Sequence, residues 1–219
     1  MKINCIQIAT LAVTTVAATM LITGCGTTSG YQQADKTGAG VAEFRQEVLN
    51  GKKAIDNTMK ALDQVAATAN LNPRAAFQQY SQSLANLESV AEKARKRSAD
   101  MKAQGQAYFA EWEKQMAEVK NPEIRNLAMQ QKAKLQATFD SIKKYAEPLK
   151  AQFDPWLSDL KDLRTYLSND LTISGVDAAK SLFAKTQAEG IEVQKSMDAL
   201  VAELNTVAAT LTPAQVKGK

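Results

Sequence analysis

Two thiols, Cys5 and Cys25, a scatter of carboxylates and no imidazole make up the reactive repertoire of this 219-residue chain. Without histidine there is no Ser-His-Asp or Cys-His nucleophile pair, no HExxH zinc site and no imidazole proton shuttle near neutral pH. Carboxylate pairs remain chemically able to act as general acid and base, and Glu111, Glu113 and Glu118 lie near one another at helical spacing. They are interspersed with Lys114 and Lys120, which is the pattern of a solvated helix surface laced by pairs three and four residues apart. These residue types point to a chain that is not an enzyme, with no catalytic residue, no metal and no cofactor.

The surroundings of Cys25 carry a different chemistry. Residues 1–24 combine Lys2 with an apolar stretch from Ile8 to Ile22 that is diluted by four threonines, the form of a removable secretory signal. The stretch is too short and too threonine-rich for a spanning helix, which needs about 20 strongly apolar residues. It closes on Leu21-Ile22-Thr23-Gly24-Cys25, which resembles the bacterial lipobox. The resemblance implies cleavage before Cys25, a diacylglycerol thioether on its sulfur and a fatty acyl group such as palmitate on the new amino terminus. Several acyl chains, at about 0.8 kcal/mol per buried methylene, make a lasting membrane anchor. Gly26 rather than Asp follows the cysteine, which by resemblance to sorted lipoproteins implies the periplasmic face of the outer membrane. Cys5 leaves with the signal, so the mature chain has no free thiol. The expected partner is the lipid bilayer, through acylated Cys25. A formal net charge of +4, one less once Lys2 is removed, is too small to suggest nucleic acid.

The elements that must stand behind this anchor are helical throughout. Half of the ten glycines fall between Gly24 and Gly40, so residues 25–40 read as a lipidated cysteine and flexible tether, worth roughly 20 Å of reach for about 15 residues. Residues 41–212 then keep apolar side chains at steps of three and four, and 213–219 read as a disordered tail. A first helix over about 41–70 carries Val41, Phe44, Val48, Ile55, Leu62 and Val65 on one stripe. Asn72-Pro73 and Asn121-Pro122-Glu123 supply an N-cap and first-turn proline for the second and third helices. Pro148 and Pro155 should kink or interrupt the third. Ser174 with Asp177 resembles a capping box opening a fourth helix to Leu211. No segment has strand-like alternation. The expected fold is all-α, an elongated antiparallel four-helix bundle with coiled-coil character.

Short turns near residues 71, 121 and 172 set which residues come level. Ala91, Ala94 and Ser98 fall opposite Tyr145, Leu149 and Phe153, and Gly190 falls opposite Trp156, so large side chains meet small ones in both places. The first and fourth helices are too short to cover residues near 106–137, which should project as a two-helix hairpin pointing the same way as the tether. Phe109, Trp112, Met116 and Ile124 form a candidate interaction tip there, for a partner protein of the envelope or for lipid headgroups, where aromatic rings are favoured. Trp112, Met116 and Ile124 also lie on the narrow stripe that would close the hairpin seam, which leaves Phe109 as the better candidate for contact. Lys93, Arg95, Lys96, Arg97 and Lys102 form the densest basic run and spread over more than one helix face, as a solvated surface does.

With the lipobox, Tyr31-Gln32-Gln33, the stretch Phe109-Ala110-Glu111-Trp112-Glu113, Asn121-Pro122-Glu123-Ile124-Arg125 and the region from Phe153 to Lys161, the mature chain resembles an uncharacterised family of helical lipoproteins from Gram-negative bacteria, a domain of unknown function. The resemblance brings no catalytic residues. The expected role is a membrane-anchored, non-enzymatic scaffold or adaptor. The alternative is a carrier that holds an apolar ligand or lipid where Ala, Ser and Gly leave room in the seam.

Overall fold

The computed structural model describes residues 30–211, so the signal at 1–24, Cys25 and the tail at 213–219 lie outside the described residues. The chain is all-α: α1 Gly30–Ala67, α2 Pro73–Ala117, α3 Pro122–Asn169, a short α4 Ile173–Ala178 and α5 Lys180–Leu211, with no strand among the described residues. At 1.5 Å per residue the longest helix spans about 70 Å, so the bundle is elongated.

The first correction concerns the tether. Residues 30–40 are not an extended linker but the opening turns of α1, and the stripe runs back from Val41 through Gly38, Thr37 and Ala34, all buried. Glycine here serves close packing: a Cβ built on Gly40 would collide with the Gln104 side chain of α2. The Thr37 hydroxyl, wholly buried, donates to Gln33 O at 2.9 Å, so its burial leaves no orphan donor.

Local signals at the other helix ends were honoured unevenly. Asn121 accepts from the Glu123 and Ile124 amides at 2.8 and 3.3 Å and caps α3. Asn72 occupies the same position before α2, but its side chain makes no capping hydrogen bond and only Pro73 acts as expected. α4 is capped by Thr172, whose hydroxyl accepts from Gly175 N at 3.1 Å, not by Ser174. Asp170 in turn accepts from the Thr172 hydroxyl and amide at 2.6 and 3.1 Å, and these bonds hold its carboxyl below the ordinary range. The expected single fourth helix is divided at Ala179.

α3 passes both prolines without interruption. Pro148, Pro155 and the residues four before each, Lys144 and Ala151, are all exposed, so each carbonyl freed by a missing N–H faces water. Buried on the opposite side are Trp156, Leu160, Leu163 and Leu167.

Laterally, α1 packs along both α2 and α5, and α3 packs along α5, while α2 and α3 meet far more sparsely. Ile55 and Leu62 of α1, Tyr80 and Leu84 of α2, Leu160 of α3 and Leu204 of α5 are fully or almost fully buried in one continuous core. The Tyr80 hydroxyl donates to Leu160 O at 2.6 Å, and burial, opposed by the Arg164 charge, pushes its ionisation well above the ordinary value.

The projecting hairpin is shorter than expected. With α1 beginning at Gly30, a Cβ there would lie 3.6 Å from Gln115 Oε1, so α2 is covered almost to its end. The Ser141–Glu203 hydrogen bond sets the α3–α5 level, and eight residues further on Leu211 comes level with about residue 133. Roughly residues 116–133, rather than 106–137, stand clear of α1 and α5.

Candidate functional site

Where α2 and α3 separate, a cleft of about 490 Å³ opens along the side of the bundle. Phe44 and Val48 of α1 with Met197 and Leu200 of α5 form its floor. One wall is small, Ala91, Ala94 and Ser98 of α2, and the other is large, Leu149 and Phe153 of α3. These are the residues brought level by the turn at 121, yet they face each other across open space instead of interlocking. Gly51 lets Met197 sink into the floor, since a Cβ there would stand 2.8 Å from the Met197 methyl.

The charged groups are at the mouth. Arg95 reaches across from α2 to α3, donating to Asp154 Oδ1 at 2.9 Å and to Glu92 Oε1 at 3.0 Å, with its guanidinium 6.0 Å from the Phe153 ring centroid. Lys102 and Lys150 also line the cleft, on opposite helices, and neither forms an ion pair among the described residues. The rest of the basic run behaves as a solvated surface: Lys93, Lys96 and Arg97 are exposed, and Arg97 pairs with Glu43 at 2.9 Å. An apolar interior with cations at the rim can hold an alkyl chain and present charge to a polar or anionic end. The Arg95–Asp154 clasp and Lys150 escaped sequence reading. The complementary charges of Arg95 and Asp154 on facing helices were the available signal.

The expected interaction tip is split by the structure. Phe109, the preferred contact residue, is only 7% exposed and stacks edge-on against Phe139 at 6.1 Å. Its burial has a simple cause. At this level α2 has neighbours on two sides, so a residue off the Tyr108–Trp112 stripe meets α3 instead of solvent. Gly105 makes the contact possible, because a Cβ there would collide with the Phe139 ring. Trp112 and Met116 are half-buried beside Gly30, Ala34 and Leu211, and Trp112 packs T-shaped on Tyr108 at 5.7 Å. Burial pushes the Tyr108 phenol's pKa up, so its ionisation is disfavoured. The Trp112 Nε1 is buried with no hydrogen-bond partner among the described residues. Ile124 is 51% exposed, and so are Leu127 at 59% and Met129 at 58%, so these three do not close the seam.

Of the carboxylates weighed for acid–base work, Glu111 and Glu113 are tied to surface partners. Glu111 accepts from Gln115 Nε2 at 3.1 Å and lies 3.9 Å from Lys114 Nζ, and Glu113 is paired with Lys132 of α3. No group of three or more metal-ligating side chains gathers among the described residues, and no described helix is long and apolar enough to cross a membrane.

No curated protein and no solved structure matches the chain. Residues 27–211, which span the whole described bundle, match the family described as protein of unknown function (DUF2959), and the chain belongs to that family.

Proposed function

We propose that the protein is a non-enzymatic bundle, anchored by acylated Cys25 to the periplasmic face of the outer membrane, that carries an apolar chain in the α2–α3 cleft. The observation behind the carrier role is the cleft itself. Its volume, about 490 Å³, falls in the usual range for small-molecule sites, and the small side chains of Ala91, Ala94 and Ser98 keep it open. The anchoring half rests on the lipobox-like Leu21–Cys25 segment.

Mass spectrometry of gently purified protein tests the carrier role. A reproducible co-purifying lipid or other apolar molecule, lost in an Ala94→Phe variant that melts at the same temperature, is the expected result. Protein free of any such molecule returns the balance to the scaffold or adaptor role, which the rod-like length of α2 and α3 supports. Anchoring is tested separately by fractionation: Cys25→Ser should leave the membrane, and persistence of that variant in the outer membrane fraction would rule the anchor out.

A further inference from the structure

We infer that the hairpin end of the bundle lies on the lipid surface, with Ile124 and Leu127 against it, so that the long axis stands away from the bilayer and the α2–α3 cleft opens well above it. This rests on the anchoring at Cys25 proposed above and adds an orientation to it.

Exposure by itself does not select an end. Leu71 at 84%, Ile173 at 58% and Leu182 at 51% are exposed towards the opposite end, much as Tyr31 at 65%, Ile124, Leu127 and Met129 are at the hairpin end. Reach selects it. Five peptide steps separate Cys25 from Gly30, so the acylated cysteine stands at most about 17 Å from the start of α1. Gly30 is level with Gln115, and the turn after α2 lies only about 8 Å further along the axis, inside that reach. The turn after Ala67 lies about 55 Å the other way, one full length of α1, beyond the reach of the attachment point at Cys25.

The hairpin face also has the composition of an interfacial contact. The apolar stripe of α3 continues past the ends of α5 and α1, which leaves Ile124 and Leu127 without the neighbours that cover Phe139 and Ile142. Lys120, Arg125 and Lys134 flank them with no carboxylate partner among the described residues, against Glu118 and Glu123, so the rim offers cations to headgroup phosphates. A shallow contact of two or three apolar side chains is weak alone and becomes persistent when an acyl anchor holds it at the surface.

The test uses full-length protein purified from membranes and reconstituted in phosphatidylethanolamine–phosphatidylglycerol vesicles containing a nitroxide-headgroup lipid. A fluorophore is placed on Leu127→Cys, on Ile124→Cys or on Leu71→Cys. The expected result is co-flotation of all three with the vesicles, with loss of most fluorescence at 127 and 124 and little at 71. Co-flotation with equal quenching at both ends, or with none at 127 and 124, overturns the orientation and leaves the anchor standing. Failure to co-float overturns the anchor and the orientation together.

Discussion

Two places in this bundle follow the same rule of opposing a bulky side chain with a small one, and they end differently. At Trp156 the ring faces Gly190, where an added Cβ would stand 3.1 Å from Trp156 Cζ2 and 2.7 Å from the Met59 sulfur. The indole is 2% exposed and donates to Thr186 O at 2.8 Å, so the gap is filled and the polar atom satisfied. At Ala91, Ala94 and Ser98 the opposing Leu149 and Phe153 stay only half-buried and a cleft remains. The difference is lateral. α3 lies directly on α5, so level residues touch. α2 and α3 are both consecutive in the chain and level, but α1 and α5 beneath hold them apart. Chain neighbours joined by a short turn need not be packing neighbours along their whole length.

The largest expected effect sets these two sites against each other. Trp156→Ala should cost about 3–5 kcal/mol in urea unfolding, the range for removing a large buried aromatic, whereas Phe153→Ala, at the open wall, should cost less than half as much. Equal losses would mean that the cleft wall is packed as closely as the dense end.

Adding volume should reverse the ranking. Gly190→Leu should destabilise by about 1–3 kcal/mol, because it overpacks a filled site. Ala94→Leu should stay within about 0.5 kcal/mol of the parent, since it enters open space. Comparable destabilisation by both would remove the distinction.

A smaller effect, with a further component at alkaline pH, marks the dense side. The buried Tyr80 phenol keeps its proton in the folded chain after the unfolded chain has lost it near the ordinary 10.0. Its contribution is therefore constant below that pH and declines as pH rises further, because the unfolded state then binds fewer protons. Tyr80→Phe should cost about 0.5–1.5 kcal/mol at neutral pH by losing the bond to Leu160 O. It should also flatten the fall in stability above pH 10. Parallel pH profiles for the two proteins would place Tyr80 outside the dry core.

Much of the architecture was legible in the residues. The three-four spacing, the turn chemistry at Asn121-Pro122 and the level of Gly190 with Trp156 all survive in the structure. What misled was composition read without packing. Glycine, threonine and alanine over residues 30–40 suggested a linker, but they are small so that α1 can approach α2 closely. Phe109 looked free because it left a coiled-coil stripe, yet a helix with two neighbours buries a wider sector than a helix with one. The cleft was implied by the run of small residues, although the same run is equally compatible with a filled seam.

What the sequence determined by itself was therefore longitudinal: which residues are helical, where the turns fall and which side chains come level. These depend on hydrogen bonds four residues apart and on the local preferences of Pro and Asn, all within reach of a few neighbours along the chain. Only the tertiary structure decided the lateral spacing, namely that α3 seats on α5 while α2 and α3 part to form the cleft. That distance is set by all four long helices at once, through Phe44, Val48, Met197 and Leu200 wedged beneath the gap, and no pairwise pattern in the chain contains it.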